Sequence, residues 1–175
     1  MDDETPDPDG PESDLAPRVP EESDLVALCR QLNALGARYL VCGGFAIIRA
    51  GYPRVTGDID LLVDMDLENE AKVFRALEIL PDKAVLELDP GDVAKHVVCR
   101  VADDVLVDLM GSASGIEYAE AAREVVVREI DGVAIPFASP QLLWRMKRHT
   151  QRVKDAPDLL FLRQWFEANG LTPPE

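Results

Sequence analysis

The sequence predicts an α/β fold: a small mixed sheet of about five strands with helices packed on it. Three observations predict it. Residues 38–64 read as a strand, a glycine turn, a short helix and a second strand. Two further pairs of apolar-alternating runs, 96–101 with 105–110 and 125–130 with 133–137, each close around a short polar turn. Helix-periodic segments stand before, between and after these runs.

A length of 175 residues suits one domain with a sizeable core. The formal net charge is −15, and residues 1–24 hold ten acids, one base and five of the thirteen prolines. Such a segment has too little apolar surface to offset its ordering entropy. We read residues 1–22 as a disordered acidic tail, 23–170 as a single domain and 171–175 as a C-terminal tail. The tail has neither the basic start nor the apolar stretch of a secretory signal. No run approaches the length of a membrane span. Cys29, Cys42 and Cys99 lie in apolar-periodic segments, match no zinc spacing and are odd in number. They read as buried small hydrophobes in a reducing, cytoplasmic compartment.

Ser23 can cap a helix over 24–35, with Leu25, Leu28 and Leu32 on its buried face and Gly36 at its end. The apolar run Tyr39 to Cys42 then ends in Gly43-Gly44, and Phe45 to Ala50 continues as a short helix. A glycine pair between strand and helix lets backbone N–H groups approach an anion. Arg54 and Thr56 lie in the turn that follows. They either fill that turn or serve the site, Arg54 on a phosphate and Thr56 beside the acids.

The second strand opens with Asp58 and Asp60. Strand side chains alternate, so these carboxylates project together from one face, while Ile59 and Leu61 face the other. Two adjacent ionised carboxylates repel unless a cation sits between them. Oxygen-only ligands suit Mg²⁺, which also takes substrate phosphates as ligands. A phosphate cradle and metal carboxylates within one unit point to phosphoryl or nucleotidyl transfer.

A helix over 68–80 follows, with Ala71, Phe74, Leu77 and Ile79 or Leu80 buried and Pro81 closing it. Residues 82–94 read as irregular with a Pro90-Gly91 turn. The hairpin after them turns at Asp103-Asp104 and places Asp108 in a strand between apolar neighbours, an uncommon setting for an acid. Residues 111–115 read as a flexible Gly-Ser loop and 118–123 as a short helix. Asp131-Gly132 is a type I′ turn signal. Ser139-Pro140 starts a helix buried through Leu142, Leu143 and Met146. Five basic residues and no acid lie between Arg145 and Lys154, as a solvated helix face or a phosphate or RNA contact. The last helix, over 155–168, has Leu159, Leu162 and Phe166 on one face. Asp155 can cap it, and Asp158 can pair with Arg152 or Arg163.

The strand, Gly43-Gly44 and Asp58-x-Asp60 together resemble the nucleotidyltransferase superfamily, to which polymerase beta belongs. Arg54-x-Thr56-x-Asp58-x-Asp60, with the late Lys154, Asp155 and Asp158, is similar to its abortive-infection toxin branch. The resemblance spans about Leu25 to Phe166. It implies a small mixed sheet, flanking helices and a C-terminal helical pair. It implies two Mg²⁺ ions on Asp58, Asp60 and Asp108, a nucleoside triphosphate on Gly43, Gly44 and Lys147, and Asp108 as general base. Asp155, matching the late acidic motif, joins the nucleotide-site candidates. The branch further implies a toxin–antitoxin or phage-defence enzyme acting on tRNA, with a cognate antitoxin as partner. Relatives with this core modify antibiotics or proteins, and a non-catalytic nucleotide-binding module is the remaining alternative.

Overall fold

The computed structural model describes residues 16–175. Residues 1–15 of the expected acidic tail lie outside that range. The Arg18 N–H donates to the Asp104 carbonyl at 2.9 Å, and its guanidinium pairs with Asp24 and Asp104.

Six strands form one mixed sheet, one more than expected. In chain order they are β1 (Tyr39–Cys42), β2 (Asp58–Val63), β3 (Cys99–Ala102), β4 (Leu106–Met110), β7 (Val125–Ile130) and β8 (Val133–Ala138); β5 (Ser112–Ala113) and β6 (Ile116–Glu117) make a separate small hairpin. The spatial order is β3-β4-β2-β1-β8-β7. β2 runs parallel to β4 and β1 parallel to β8, while β1–β2, β3–β4 and β7–β8 are antiparallel. The central strand β1 is buried along its whole length, as expected where both faces are covered. The helices are α1 (Glu22–Ala34), α2 (Gly43–Ala50), α3 (Leu67–Leu77), α4 (Asp92–Lys95), α5 (Tyr118–Ala121), α6 (Pro140–Lys147) and α7 (Ala156–Ala168).

Several expected boundaries move, each for a local reason. α1 starts at Glu22 because Glu21 and Asp24 form a reciprocal capping box, leaving Ser23 inside the first turn. α3 is capped by Asp66, whose carboxylate accepts from the Asn69 N–H at 3.2 Å. Its buried residues are Asn69, Glu70, Val73, Ala76 and Leu77, while Ala71, and Ile79 beyond its end, face solvent. Asn69 replaces an apolar residue there because its amide ties two segments together. It accepts from the Arg38 N–H at 2.6 Å and donates to the carbonyls of Arg38 and Asp64 at 3.0 and 2.9 Å. Residues 82–94 are less irregular than expected, holding a short 3₁₀ turn (Ala84–Glu87) and α4. The Gly-Ser stretch after β4 pairs as the β5–β6 hairpin instead of forming a loop. The Asp131-Gly132 turn has positive φ at both residues, 49° and 77°, as a type I′ turn requires. Ser139 caps α6, accepting from the Leu142 N–H at 3.2 Å. All three cysteines are buried and free.

Replacing Asn69 by Ala leaves the Arg38 N–H and the Asp64 carbonyl without partners, while the Arg38 carbonyl keeps only the Asp64 N–H. We expect a loss of about 2–4 kcal/mol in urea unfolding. A change under about 1 kcal/mol would show that these groups find other partners.

Candidate active site

Two strands bring the three acids together. The parallel register of β2 on β4 sets Asp60 opposite Asp108 and Asp58 opposite Leu106. Asp58, Asp60 and Asp108 thus each offer a carboxylate oxygen within 4.8 Å of the others. On the opposite face of the same strands Ile59, Leu61, Val107 and Leu109 are fully buried in the core. Burial, then the charges of Asp58 and Asp108, push the Asp60 carboxyl up to about 7. Three hard oxygen donors, close together and partly withdrawn from water, fit a divalent ion such as Mg²⁺. Asp58, Asp60 and Asp108 are the residues that would hold it.

The glycine pair stands at the mouth of this cluster, and α2 takes it up as its own first two residues. Gly43 has φ +60°, and a Cβ there would lie 2.1 Å from Asp60 Oδ2. A Cβ on Gly44 would lie 2.2 Å from Thr56 Oγ1. Both glycines are needed for close approach, and the helix N-terminus is left open toward the acids. Thr56 is buried, and its hydroxyl donates to the Asp58 carbonyl at 3.2 Å, bracing the first turn of β2.

The opposite wall comes from α6 and α7. Lys147 is buried and its ammonium donates to Asp155 at 3.0 Å and pairs with Asp158 at 3.2 Å. Arg54 makes a two-pronged contact with Asp158, 2.9 Å on each oxygen. Burial raises the Asp155 carboxyl, but hydrogen bonds from Thr150 and Lys147 outweigh it, and with Arg152 they hold it down at about 2. Asp155 and Asp158 therefore continue the buried stripe of Leu162 and Phe166 down α7, where apolar residues would ordinarily stand. Asp155 does not cap α7 by its side chain, and Asp158 takes Arg54 and Lys147 in place of Arg152 or Arg163. Arg163 lies over the Trp144 ring instead, at 5.8 Å.

The walls enclose a cleft of about 570 Å³ lined by every candidate site residue: Asp58, Asp60, Asp108, Gly43, Gly44, Arg54, Thr56, Lys147 and Asp155. The basic block is split. Arg145 pairs with Glu120 and Glu124, Arg148 donates to the Pro174 carbonyl, and only Lys147, Arg152 and Lys154 line the cleft. Cys42 also lines it, but burial, with Asp60 adding, pushes its thiol up, so it stays protonated.

Two residues escaped the sequence reading. Asp158 was recognised as a motif acid but not as the partner that organises Arg54 and Lys147. Arg100 was missed entirely. A two-residue Asp103-Asp104 turn would set Arg100 against Val107, on the wrong face. The actual connection uses residues 103–105, because the buried Asp103 carboxylate caps the Asp82 and Ala84 N–H groups and the Asp103 N–H returns to the Val105 carbonyl. The register becomes Arg100 opposite Asp108.

No family model and no curated relative matches the sequence. Solved structures do. The antigenic nucleotidyltransferase-like protein of Paracoccidioides brasiliensis matches with TM-score 0.53 at 18% identity, over 87% of this chain and 79% of its own. ANT(2")-Ia in complex with adenylyl-2"-tobramycin matches with TM-score 0.53 at 18% identity, over 85% of this chain and 90% of its own. The chain has the fold of these nucleotidyltransferases. No helix of the described residues is long and apolar enough to cross a membrane.

Two outcomes follow from this geometry. Native Asp60 keeps its proton up to about pH 7, whereas the unfolded chain releases it near about 3.9. The folded state binds the extra proton between those values, so this group lowers metal-free stability as pH rises through that window. A divalent ion must displace that proton. The rise in Tm with Mg²⁺ should be larger at pH 8 than at pH 6 and should vanish in Asp60→Asn; equal rises at both pH values would refute the proton competition. Gly43→Ala and Gly36→Ala both place a side chain at positive φ, each costing about 1–2 kcal/mol. Only at Gly43 does the new methyl meet Asp60, since nothing lies within 4 Å of a Cβ on Gly36. Thermal shift should show the Mg²⁺ response lost in Gly43→Ala and retained in Gly36→Ala.

Proposed function

We propose that the chain is a metal-dependent nucleotidyltransferase that moves a nucleoside monophosphate from a nucleoside triphosphate to an acceptor hydroxyl. The observation that carries this reading is the pairing of Asp60 with Asp108 across β2–β4, beside Asp58 and facing the Gly43-Gly44 turn. Mg²⁺, when bound by the three acids, supplies polarisation of the phosphoryl oxygens and neutralisation of their charge.

This chain's own residues account for the rest. The N–H groups at the start of α2 offer hydrogen bonds to the triphosphate. Lys147 supplies positive charge to the β- and γ-phosphates, held in place by Asp155 and Asp158. Arg54, fixed by Asp158, supports the same wall. Asp108 accepts the proton of the acceptor hydroxyl. That oxygen attacks the α-phosphorus in line, its new bond to phosphorus forms as the bond to the bridging oxygen breaks, and pyrophosphate leaves.

The resemblance to the abortive-infection branch supports a tRNA acceptor and a cytoplasmic role in a toxin–antitoxin or phage-defence system, with a cognate antitoxin as partner. One feature of the cleft supports an acceptor other than a polycation. Its lining holds five acids and five bases, and three of the acids are the metal candidates, so no surplus negative charge remains for a cationic antibiotic. The likeness to ANT(2")-Ia, solved with adenylyl-2"-tobramycin, keeps a small-molecule acceptor as the second reading.

Label transfer decides between them. The protein, Mg²⁺ and each α-labelled nucleoside triphosphate are incubated with total RNA, with cell protein and with an aminoglycoside panel. We expect label in one RNA species, reduced by about 10²-fold or more in Asp60→Asn. Label in an aminoglycoside or in protein would move the acceptor to that class, and no transfer to any acceptor would overturn the enzymatic reading.

A further inference from the structure

Arg100 stands on the edge strand β3, opposite Asp108. Its Nε donates to one Asp108 oxygen at 2.8 Å and a terminal nitrogen donates to the other at 2.8 Å; that nitrogen also reaches Asp58 at 3.3 Å. One guanidinium thus engages two of the three acids and both oxygens of the acid assigned as base. The fork geometry is the strong form of this contact. Yet the Arg100 side chain is 55% exposed while that of Asp108 is only 8% exposed. The cation stands at the cleft's solvent side, whereas the acid it holds is fixed in the sheet. Val97 and Val98, which precede β3, are likewise exposed.

A guanidinium in this position does what a metal ion would do, offsetting the charge of neighbouring carboxylates. The two cations compete for the same oxygens. We propose that Arg100 is a displaceable latch on the acid cluster: it holds Asp108 and Asp58 while no divalent ion is bound, and yields both when the ion enters. The proposal rests on the metal-site reading above. While the latch is closed, the best-directed lone pairs of Asp108 are committed to Arg100 and cannot take a proton from an acceptor. Opening it on metal loading ties the base to the presence of the ion. The latch also weakens metal binding, since the arginine contacts must be given up each time an ion enters.

Competition and simple scaffolding predict opposite signs. If Arg100 only held Asp108 in position, its removal would loosen the site and weaken metal binding. If it competes, its removal strengthens binding. Calorimetric titration of the full chain with Mg²⁺ and Mn²⁺ reads this directly, without turnover. We expect Arg100→Gln to bind Mg²⁺ about tenfold tighter than wild type, with Arg100→Lys between them because an ammonium lacks the fork. By linkage, metal-free Arg100→Gln should melt below wild type, and the gap should close at saturating Mg²⁺. Unchanged or weaker Mg²⁺ affinity in Arg100→Gln, or a melting gap that persists at saturation, would overturn the latch while leaving the metal site standing. Wild type that binds neither ion would instead overturn the metal site itself, and the latch with it.

Discussion

Three carboxylates held within 4.8 Å of one another repel, and the surrounding structure is arranged to tolerate that repulsion. The parallel β2–β4 pairing forces Asp60 and Asp108 side by side, and alternation along β2 adds Asp58. No relaxation of these strands can separate them, because their other faces carry Ile59, Leu61, Val107 and Leu109 in the fully buried core. The strain falls on protonation and on neighbouring cations: Asp60 keeps a proton to near neutrality and Arg100 closes over the other two acids.

The facing wall solves a related problem with opposite signs. Lys147 and Arg54 are positive charges largely withdrawn from water, and such charges persist only when paired and hydrogen-bonded. Asp155, just before α7, and Asp158, in its first turn, supply the pairing, both buried in line with the apolar face of that helix. They fix the cations at the cleft wall and hold α6, the β2 approach and α7 as one unit. The cleft is therefore charge-balanced as built, with five acids and five bases in its lining.

Much of the site was legible because it is local. Gly43-Gly44, Asp58 and Asp60 fall within one strand–helix–strand unit, and spacing alone puts both acids on one face. Asp108 was legible as an acid among apolar strand neighbours. Lys147 and Asp155 were named, but their pairing was not. The stripe of α3 was misplaced because Asn69, a polar residue, occupies a buried position for its three backbone contacts, which no apolar periodicity reports.

By itself the sequence determined the order of the six main strands, the start of α6, the type I′ turn at Asp131-Gly132 and the two acids heading β2. These depend on neighbours within about four residues, where backbone preferences and side-chain alternation act directly. Tertiary structure alone decided which strand lies beside β2, that the β3–β4 hairpin closes through three residues, and hence that Arg100 faces Asp108 and not Val107. It also decided that Arg54 reaches Asp158, 104 positions away. A shift of one residue in register turns every side chain to the other face. That register was set by the buried Asp103 carboxylate capping Asp82 and Ala84, a contact between segments that no local pattern encodes.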